Sequence, residues 1–499
     1  MNKKANKMKR SLLLIISLLF LFQGQAQNKI LSLNDVIQIA QKQSPAALNS
    51  RHQLRSSYWE FRSYKATQLP SLSFEGVIPS INRAYKSVTN YEDGLQHYVG
   101  QSYIEYEGNL KLNQAVSWTG GNVFVQSGLQ QVVNYTDSST INHFLSTPIN
   151  IGFNQPLFQY NKYKWDRKIS PMKFEIAKKQ YLETVEQVSI TAINYFFNLL
   201  VAQVDYKISQ INVSNFDTLY KVAKGRYNLG RIGENEVLQM ELSLLKSQSA
   251  LEKNALQLDD AKFKLKSFLR IQDDFDLSLL IPDVDFLNEI DKEIALEKAI
   301  KNSSIINDFD RRLLEAQAKV NEAKTAYGLN ANLFAVYGLT QSANQFSDAY
   351  RDPLNQQQLT LGIQVPILDW GRRKGQVKMA QSNEDLVKTS VDQERIDYDA
   401  SIYYKVAEFN IQKNQLLIAA KSDTIAQKSY AVSKNRYLIG KIGVTDLNIA
   451  QKDTDQAKIG YIRELQSYWV NYYNLRKSTL YDFKNNNDLD VDYEDIYGN

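Results

Sequence analysis

The 499 residues contain no cysteine, which excludes thiol nucleophiles, disulfides, thiolate metal ligands and a lipid anchor on an N-terminal Cys. The three histidines, His52, His97 and His143, stand in unrelated contexts and lack the spacing that holds a metal ion. Each reads as a surface or packed residue. Neither G-x-S-x-G nor H-E-x-x-H nor a P-loop is present. A secreted enzyme built on scattered carboxylates is therefore the weakest of the readings considered, and no catalytic residue or cofactor is assigned. What does recur at fixed spacing is a set of glycines, cations and aromatics. Val222, Lys224, Arg226, Tyr227, Gly230, Arg231, Ile232 and Gly233 are matched by Val432, Lys434, Arg436, Tyr437, Gly440, Lys441, Ile442 and Gly443, at an offset of 210 residues. Pro156 and Pro366 keep the same offset. Such chemistry ends helices and turns chains, because glycine accepts the left-handed backbone that closes a helix.

Two anchors about seventy residues apart with one offset mean that a large segment is duplicated, which has to be recognised before any fold is assigned. The elements that carry the duplicated turns follow from periodicity. Lys3, Lys4, Lys7, Lys9 and Arg10 precede an apolar run from Leu12 to Phe22, and Gly24-Gln25-Ala26 offers small residues for cleavage. Residues 1–26 thus read as an export signal, too short to span a bilayer. The chain has 59 basic and 54 acidic residues, and five of the basic ones lie in this segment. Charge is balanced beyond it, so nothing points to a nucleic-acid partner. No later 18-residue segment is read as apolar enough for a membrane helix; β-strands leave little trace in hydropathy and stay open.

A first repeat is expected over 27–291 and a second over 292–483. In the first, Ser32 caps a helix with Leu33, Val36, Ile37 and Ala40 on one face. Period-two segments follow over about 71–156, among them Leu110, Leu112, Val116 and Trp118, with Thr119-Gly120-Gly121-Asn122 as a tight turn. A long helical hairpin is expected over about 160–271. The second repeat places strands over about 332–366 and a hairpin over about 371–482. Its strand region is shorter by roughly fifty residues, so the first carries a further hairpin or a large loop. Ile402, Val406, Phe409, Leu416 and Ala420 form a heptad stripe, matched by Ala192, Phe196 and Leu199, which predicts coiled-coil packing. Gly230 and Gly440 are placed as helix C-caps, with Gly233 and Gly443 letting the chain reverse. The Asn- and Asp-rich tail, 484–499, reads as disordered and acidic.

Each half therefore runs helix, strands, proline corner, long helix, Gly turn, long helix. With Gln155-Pro156-Leu157-Phe158, Pro366-Ile367-Leu368-Asp369-Trp370-Gly371-Arg372-Arg373 and the Arg-Tyr-x-x-Gly-basic-Ile-Gly turns, the chain resembles the TolC family of outer-membrane channel proteins over nearly its whole length. The resemblance implies a mainly α fold with a β membrane part, assembled as a homotrimer. Long coiled helical hairpins would form an α-barrel continuing into a shared outer-membrane β-barrel, with two internal repeats and four strands per chain. It implies a passive exit duct in the outer membrane with a large periplasmic part, working with a periplasmic adaptor and an inner-membrane pump. By similarity, Gly230, Arg231, Ile232, Gly233, Gly440, Lys441, Ile442 and Gly443 would contact the adaptor, Pro156 and Pro366 would turn strand into helix, and Asp446, with its first-repeat counterpart Glu236, would line a periplasmic gate. A periplasmic coiled-coil adaptor or scaffold without a pore is the alternative reading.

Overall fold

In a computed structural model of the chain, the described residues are 29–89, 94–135, 139–272, 276–284 and 289–498. The expected export signal lies outside them. In chain order the elements are β1 (Lys29–Leu31), α1 (Leu33–Gln43), α2 (Pro45–Ala66), β2 (Ser71–Thr89), β3 (Gln96–Val116), β4 (Gly121–Tyr135), β5 (Thr140–Leu157), α3 (Lys162–Asn228) and α4 (Glu234–Leu269). Then come β6 (Leu277–Leu279), α5 (Lys292–Asn302), α6 (Ser304–Ala326), β7 (Asn330–Ala343), β8 (Leu354–Gln364), α7 (Arg372–Leu438), α8 (Val444–Thr479), β9 (Tyr481–Asp482), β10 (Asn487–Asp488) and α9 (Glu494–Tyr497). α3 and α7 are both 67 residues long, and α4 and α8 both 36, so the duplication is exact in the hairpins.

The chain forms two compact units. One comprises the described residues up to Leu54 together with Lys179–Ser303 and Asp397 onward. Its main core joins one face of α1 (Leu33, Val36, Ile37, Ala40) to α3, α4, α5, α7 and α8. The α1 face exists because Ser32 and Asp35 form a reciprocal capping box. The heptad stripe behaves as its spacing predicts: Ile402, Val406, Phe409 and Leu416 are buried, as are Ala192, Phe196 and Leu199. α3 also contains an apolar window that length and hydropathy would admit as a membrane span. This corrects the expectation that no such segment follows the signal. More than half of the window, 56%, is buried, so its apolarity is that of a core.

A charged knot lies in the same unit. Arg476 donates to Glu186 at 3.1 Å and to Asp482 at 3.0 Å, with its guanidinium 4.9 Å from the centre of the Tyr473 ring. Asp482 also accepts from the Tyr472 hydroxyl and the backbone N–H groups of Lys484 and Asn485. The tail, expected to be disordered, leaves this knot in an ordered path. The Asp488 carboxylate accepts from Lys301 and Asn302, and Ile496 is buried. An acid-rich composition disfavours a core but does not stop individual carboxylates from pairing with a neighbouring helix end.

The other unit, Arg55–Lys178 with Ser304–Ile396, holds one antiparallel sheet in the order β2-β3-β4-β5-β7-β8. The chain thus brings six strands, not four. The roughly fifty extra residues of the first repeat fold as a whole further hairpin, because their alternation extends across strands of up to 21 residues. The alternation ends at Val116, and Trp118 falls in the turn before β4.

Candidate functional site

The sheet is two-faced at the level of single rungs. Leu72, Leu112, Val125, Ile151 and Tyr337 pair successively across five strands, so their side chains share one face. Val123, Phe153, Ala335 and Leu359 make the adjoining rung. Leu72 is 65% exposed and Leu359 75%, although an apolar side chain loses about 25 cal/mol for every Å² left in water. The opposite face reads Ser73, Lys111, Gln126, Asn150, Gly338 and Gln356 along one rung. Amides knit it together, with Asn150 donating to Gln356 at 3.0 Å and Asn122 to Asn113 at 3.3 Å. Where the strands meet the helices Trp118, Phe158 and Trp370 are exposed, and Tyr85 and Tyr98 are exposed further along the first hairpin. An apolar band between aromatic fringes on one face, with amides on the other, is the cross-section of a membrane barrel wall. The outermost strands, β2 and β8, run in opposite directions and have no neighbour on one side.

The two prolines stand at the corners. Pro156 is in the last rungs of β5, paired with Asn332, and Phe158 just beyond has φ 64°. Asn161 then caps α3 by accepting from Lys164 N at 3.0 Å, while its amide donates to Ser117 O and Trp118 O. Pro366 follows β8, and the chain turns through Trp370 (φ 55°) and Gly371 (φ 87°). Asp369 caps α7 by accepting from Gly371 N and Arg373 N, both at 2.9 Å. Those two N–H donors hold its carboxyl below the ordinary carboxylate range.

The hairpin tips are the second assembly. Gly230 (φ 69°) and Gly440 (φ 76°) supply the left-handed residue that ends α3 and α7. The turns share their closing bonds: Gly230 N to Tyr227 O and Arg231 N to Arg226 O, against Gly440 N to Tyr437 O and Lys441 N to Arg436 O. Gly233 (φ −80°) and Gly443 (φ −84°) instead have ordinary extended backbone, so the reversal does not require glycine there. A Cβ built on either meets nothing within 4 Å. Both are the N-caps of the return helices, where glycine is favoured over alanine but Ser, Asp or Asn would serve as well.

Arg226 joins the two tips. Its Nη1 donates to Tyr437 O at 3.0 Å, its Nη2 donates to Leu438 O, and its guanidinium lies 5.5 Å from the centre of the Tyr437 ring. Phe216, Leu219, Ala223, Met240, Tyr437, Val444 and Leu447 form a small core beside it. Burial pushes the Tyr437 hydroxyl up, Arg226 opposes this and Glu236 adds to it, so that acid is close to the ring. A cavity of about 640 Å³ is lined by Arg226, Arg231, Ile232 and Glu236 from one tip and Tyr437 to Gly443 from the other. Most of the residues assigned in the sequence to an adaptor contact or a gate thus meet around one cavity; of these, Gly230, Gly233 and Asp446 do not line it. Asp446 is exposed in the first turn of α8. Sequence reasoning missed the clasp made by Arg226, although the invariant Arg-Tyr pair of the repeat was its signal. Among the described residues no group of His, Asp and Glu could hold a metal ion.

Residues 295–479 match the family model described as outer membrane efflux protein. No curated protein matches by sequence. Solved structures match over most of the chain. The CmeC outer membrane channel of Campylobacter jejuni is 16% identical, with a TM-score of 0.63 over 93% of this chain and 88% of that one. The outer membrane protein VceC of Vibrio cholerae is 12% identical, with a TM-score of 0.62 over 90% of this chain and 95% of that one. The MtrE outer membrane channel of Neisseria gonorrhoeae, in its open state, is 13% identical, with a TM-score of 0.52 over 92% and 91%.

Proposed function

We propose that this chain, which has the fold of the TolC-like channels and an outer membrane efflux protein domain over 295–479, is the outer-membrane exit duct of a tripartite export system. The observation that carries the reading is the two-faced sheet with two open edges. Lipid tolerates no unpaired strand edge, so the sheet must close on further copies. β8 of one copy and β2 of the next are antiparallel, as closure requires, and three copies make a barrel of eighteen strands. Barrels of 16–18 strands leave an aqueous channel, whereas small ones are filled by side chains. The inner face mixes amides with both signs of charge, Glu75, Glu105 and Glu107 against Lys86 and Lys111.

The helical hairpins would form the periplasmic part, with the tips toward a periplasmic adaptor and an inner-membrane pump. Gly233 and Gly443 support an adaptor contact at Gly230 to Gly233 and Gly440 to Gly443. Both are small and open to solvent, and the turn has no conformational need of them. Asp446, repeated around the axis in the first turn of α8, is the candidate gate residue, with Glu236 held back beside Tyr437. A scaffold without a pore has no use for an exposed apolar band on a sheet. The reading is tested by adding detergent-extracted protein to a planar lipid bilayer. Discrete conductance steps are expected; a preparation that extracts without detergent and never conducts would favour the scaffold.

A further inference from the structure

The two tips are built alike but used unequally. Arg226 clasps the C-terminal end of α7, yet its counterpart Arg436 makes no such contact among the described residues and is exposed. The aromatic partners show the same imbalance, with Tyr437 1% exposed and Tyr227 43%. The clasp inside the chain therefore uses the arginine of the first repeat and the tyrosine of the second, leaving one of each unused. In a closed ring of two-repeat chains, the second tip of each copy abuts the first tip of the next.

We propose that Arg436 of one copy clasps the end of α3 in the neighbouring copy, its guanidinium over the Tyr227 ring and donating to the carbonyls of Tyr227 and Asn228. The occupant of this surface is a second copy of the same chain, so the inference rests on the ring assembly of the proposed duct. Three observations carry it. The acceptor is equivalent: Tyr227 O takes one bond from Gly230 N, as Tyr437 O takes one from Gly440 N, and Tyr437 O still accepts from Arg226. The charges are complementary, since a helix C-terminus carries a partial negative charge and a guanidinium donates in a planar fork. The surroundings recur as well. Arg226, Arg231, Ile232 and Glu236, which line the cavity on the first-repeat side, become Arg436, Lys441, Ile442 and Asp446 at the offset of 210.

A second cavity of the same kind would thus lie at every junction between copies, with Asp446 in the place of Glu236. The tip ring would then be held by six clasps, three within chains and three between them. Only the latter can loosen without disturbing the fold of a single chain.

Because the chain has no cysteine, the test needs no prior removal of thiols. Full-length protein carrying Tyr227→Cys and Arg436→Cys is assembled in membranes, treated with a short bismaleimide and run on a denaturing gel. Covalent dimers and trimers are expected. The control pair Arg226→Cys and Tyr437→Cys should link within one chain and give no higher bands. A trimeric native mass with no bands between chains overturns the clasp and leaves the duct standing; a monomeric native mass removes both. Should the cysteine pair prevent assembly, p-benzoylphenylalanine replacing Tyr227 keeps an aromatic ring at that position. Its photoproduct should map to 432–446 of another chain, and a product confined to its own chain would contradict the proposal.

Discussion

Replacing Arg476 with methionine should destabilise the unit containing Glu186 far more than any surface charge would. Only 15% of the Arg476 side chain is exposed, and 5% and 8% of its partners Glu186 and Asp482. The partners are not equally dependent on it. Asp482 keeps the Tyr472 hydroxyl and the N–H groups of Lys484 and Asn485; these, together with the charge of Arg476, hold its carboxyl below the ordinary range against burial. Among the described contacts Glu186 has only Arg476, and its Oε2 is buried without a partner. Burial already pushes the Glu186 carboxyl up against the pull of Arg476. Removing one member of a buried pair costs about 3–5 kcal/mol. At about 2 °C per kcal/mol, the melting midpoint should fall by about 6–10 °C.

The pH dependence has a defined sign. A carboxyl whose folded pKa is raised binds its proton more readily when folded, so stability falls as pH rises above the ordinary glutamate value of about 4.3. Without Arg476 the shift grows, so the deficit of Arg476→Met should be larger at pH 8 than at pH 5. Adding Glu186→Gln should restore most of the midpoint, because removing both charges leaves no uncompensated ion. Thermal unfolding followed by circular dichroism in detergent measures all three. A midpoint for Arg476→Met within about 2 °C of the parent at both pH values, below the 3 kcal/mol floor, would refute this reasoning.

Leu361→Arg, on the apolar face of β8, should cost about 2–4 kcal/mol and deplete the outer-membrane fraction, whereas Gln358→Arg on the amide face should assemble and lower cation conductance. Gly440→Ala should cost about 1 kcal/mol because of its left-handed backbone, while Gly443→Ser, at φ −84° and at a helix N-cap that serine suits, should leave the melting midpoint unmoved. Arg226→Ala should free the tips and speed proteolysis within 229–233 and 439–443, read by mass spectrometry of the fragments. Asp446→Asn should reduce cation selectivity in bilayer recordings if three such carboxylates face the entrance, and an unchanged reversal potential in a salt gradient would remove Asp446 from the gate.

Features that depend on local backbone were legible in the sequence. Gly230 and Gly440 betray the helix ends because few other residues take positive φ, and the stripe from Ile402 to Leu416 betrays a buried helix face through its spacing alone. Contacts between distant residues left fainter marks. The Arg226 clasp spans 211 residues to Tyr437, and only the duplication of both residue types hints at it. Strand number was obscured because the amide face breaks the apolar alternation with Asn, Gln and Gly, so the first repeat's extra hairpin read equally well as a loop. Glu186, Arg476 and Asp482 sit in apolar and aromatic segments, with Val188, Tyr472, Tyr473 and Leu475 buried nearby, but nothing in their spacing shows that the three charges meet. Asp488 shows the same limit in the tail, where composition argued for disorder and two contacts with the end of α5 supply order.

The most direct test of the duct is an image of the detergent-extracted outer-membrane fraction by single-particle electron microscopy, at a resolution that separates strands. The account predicts three copies sharing one barrel of eighteen strands, each copy contributing the run from β2 to β8. A soluble periplasmic monomer, or an assembly whose sheets remain open to solvent, would contradict it.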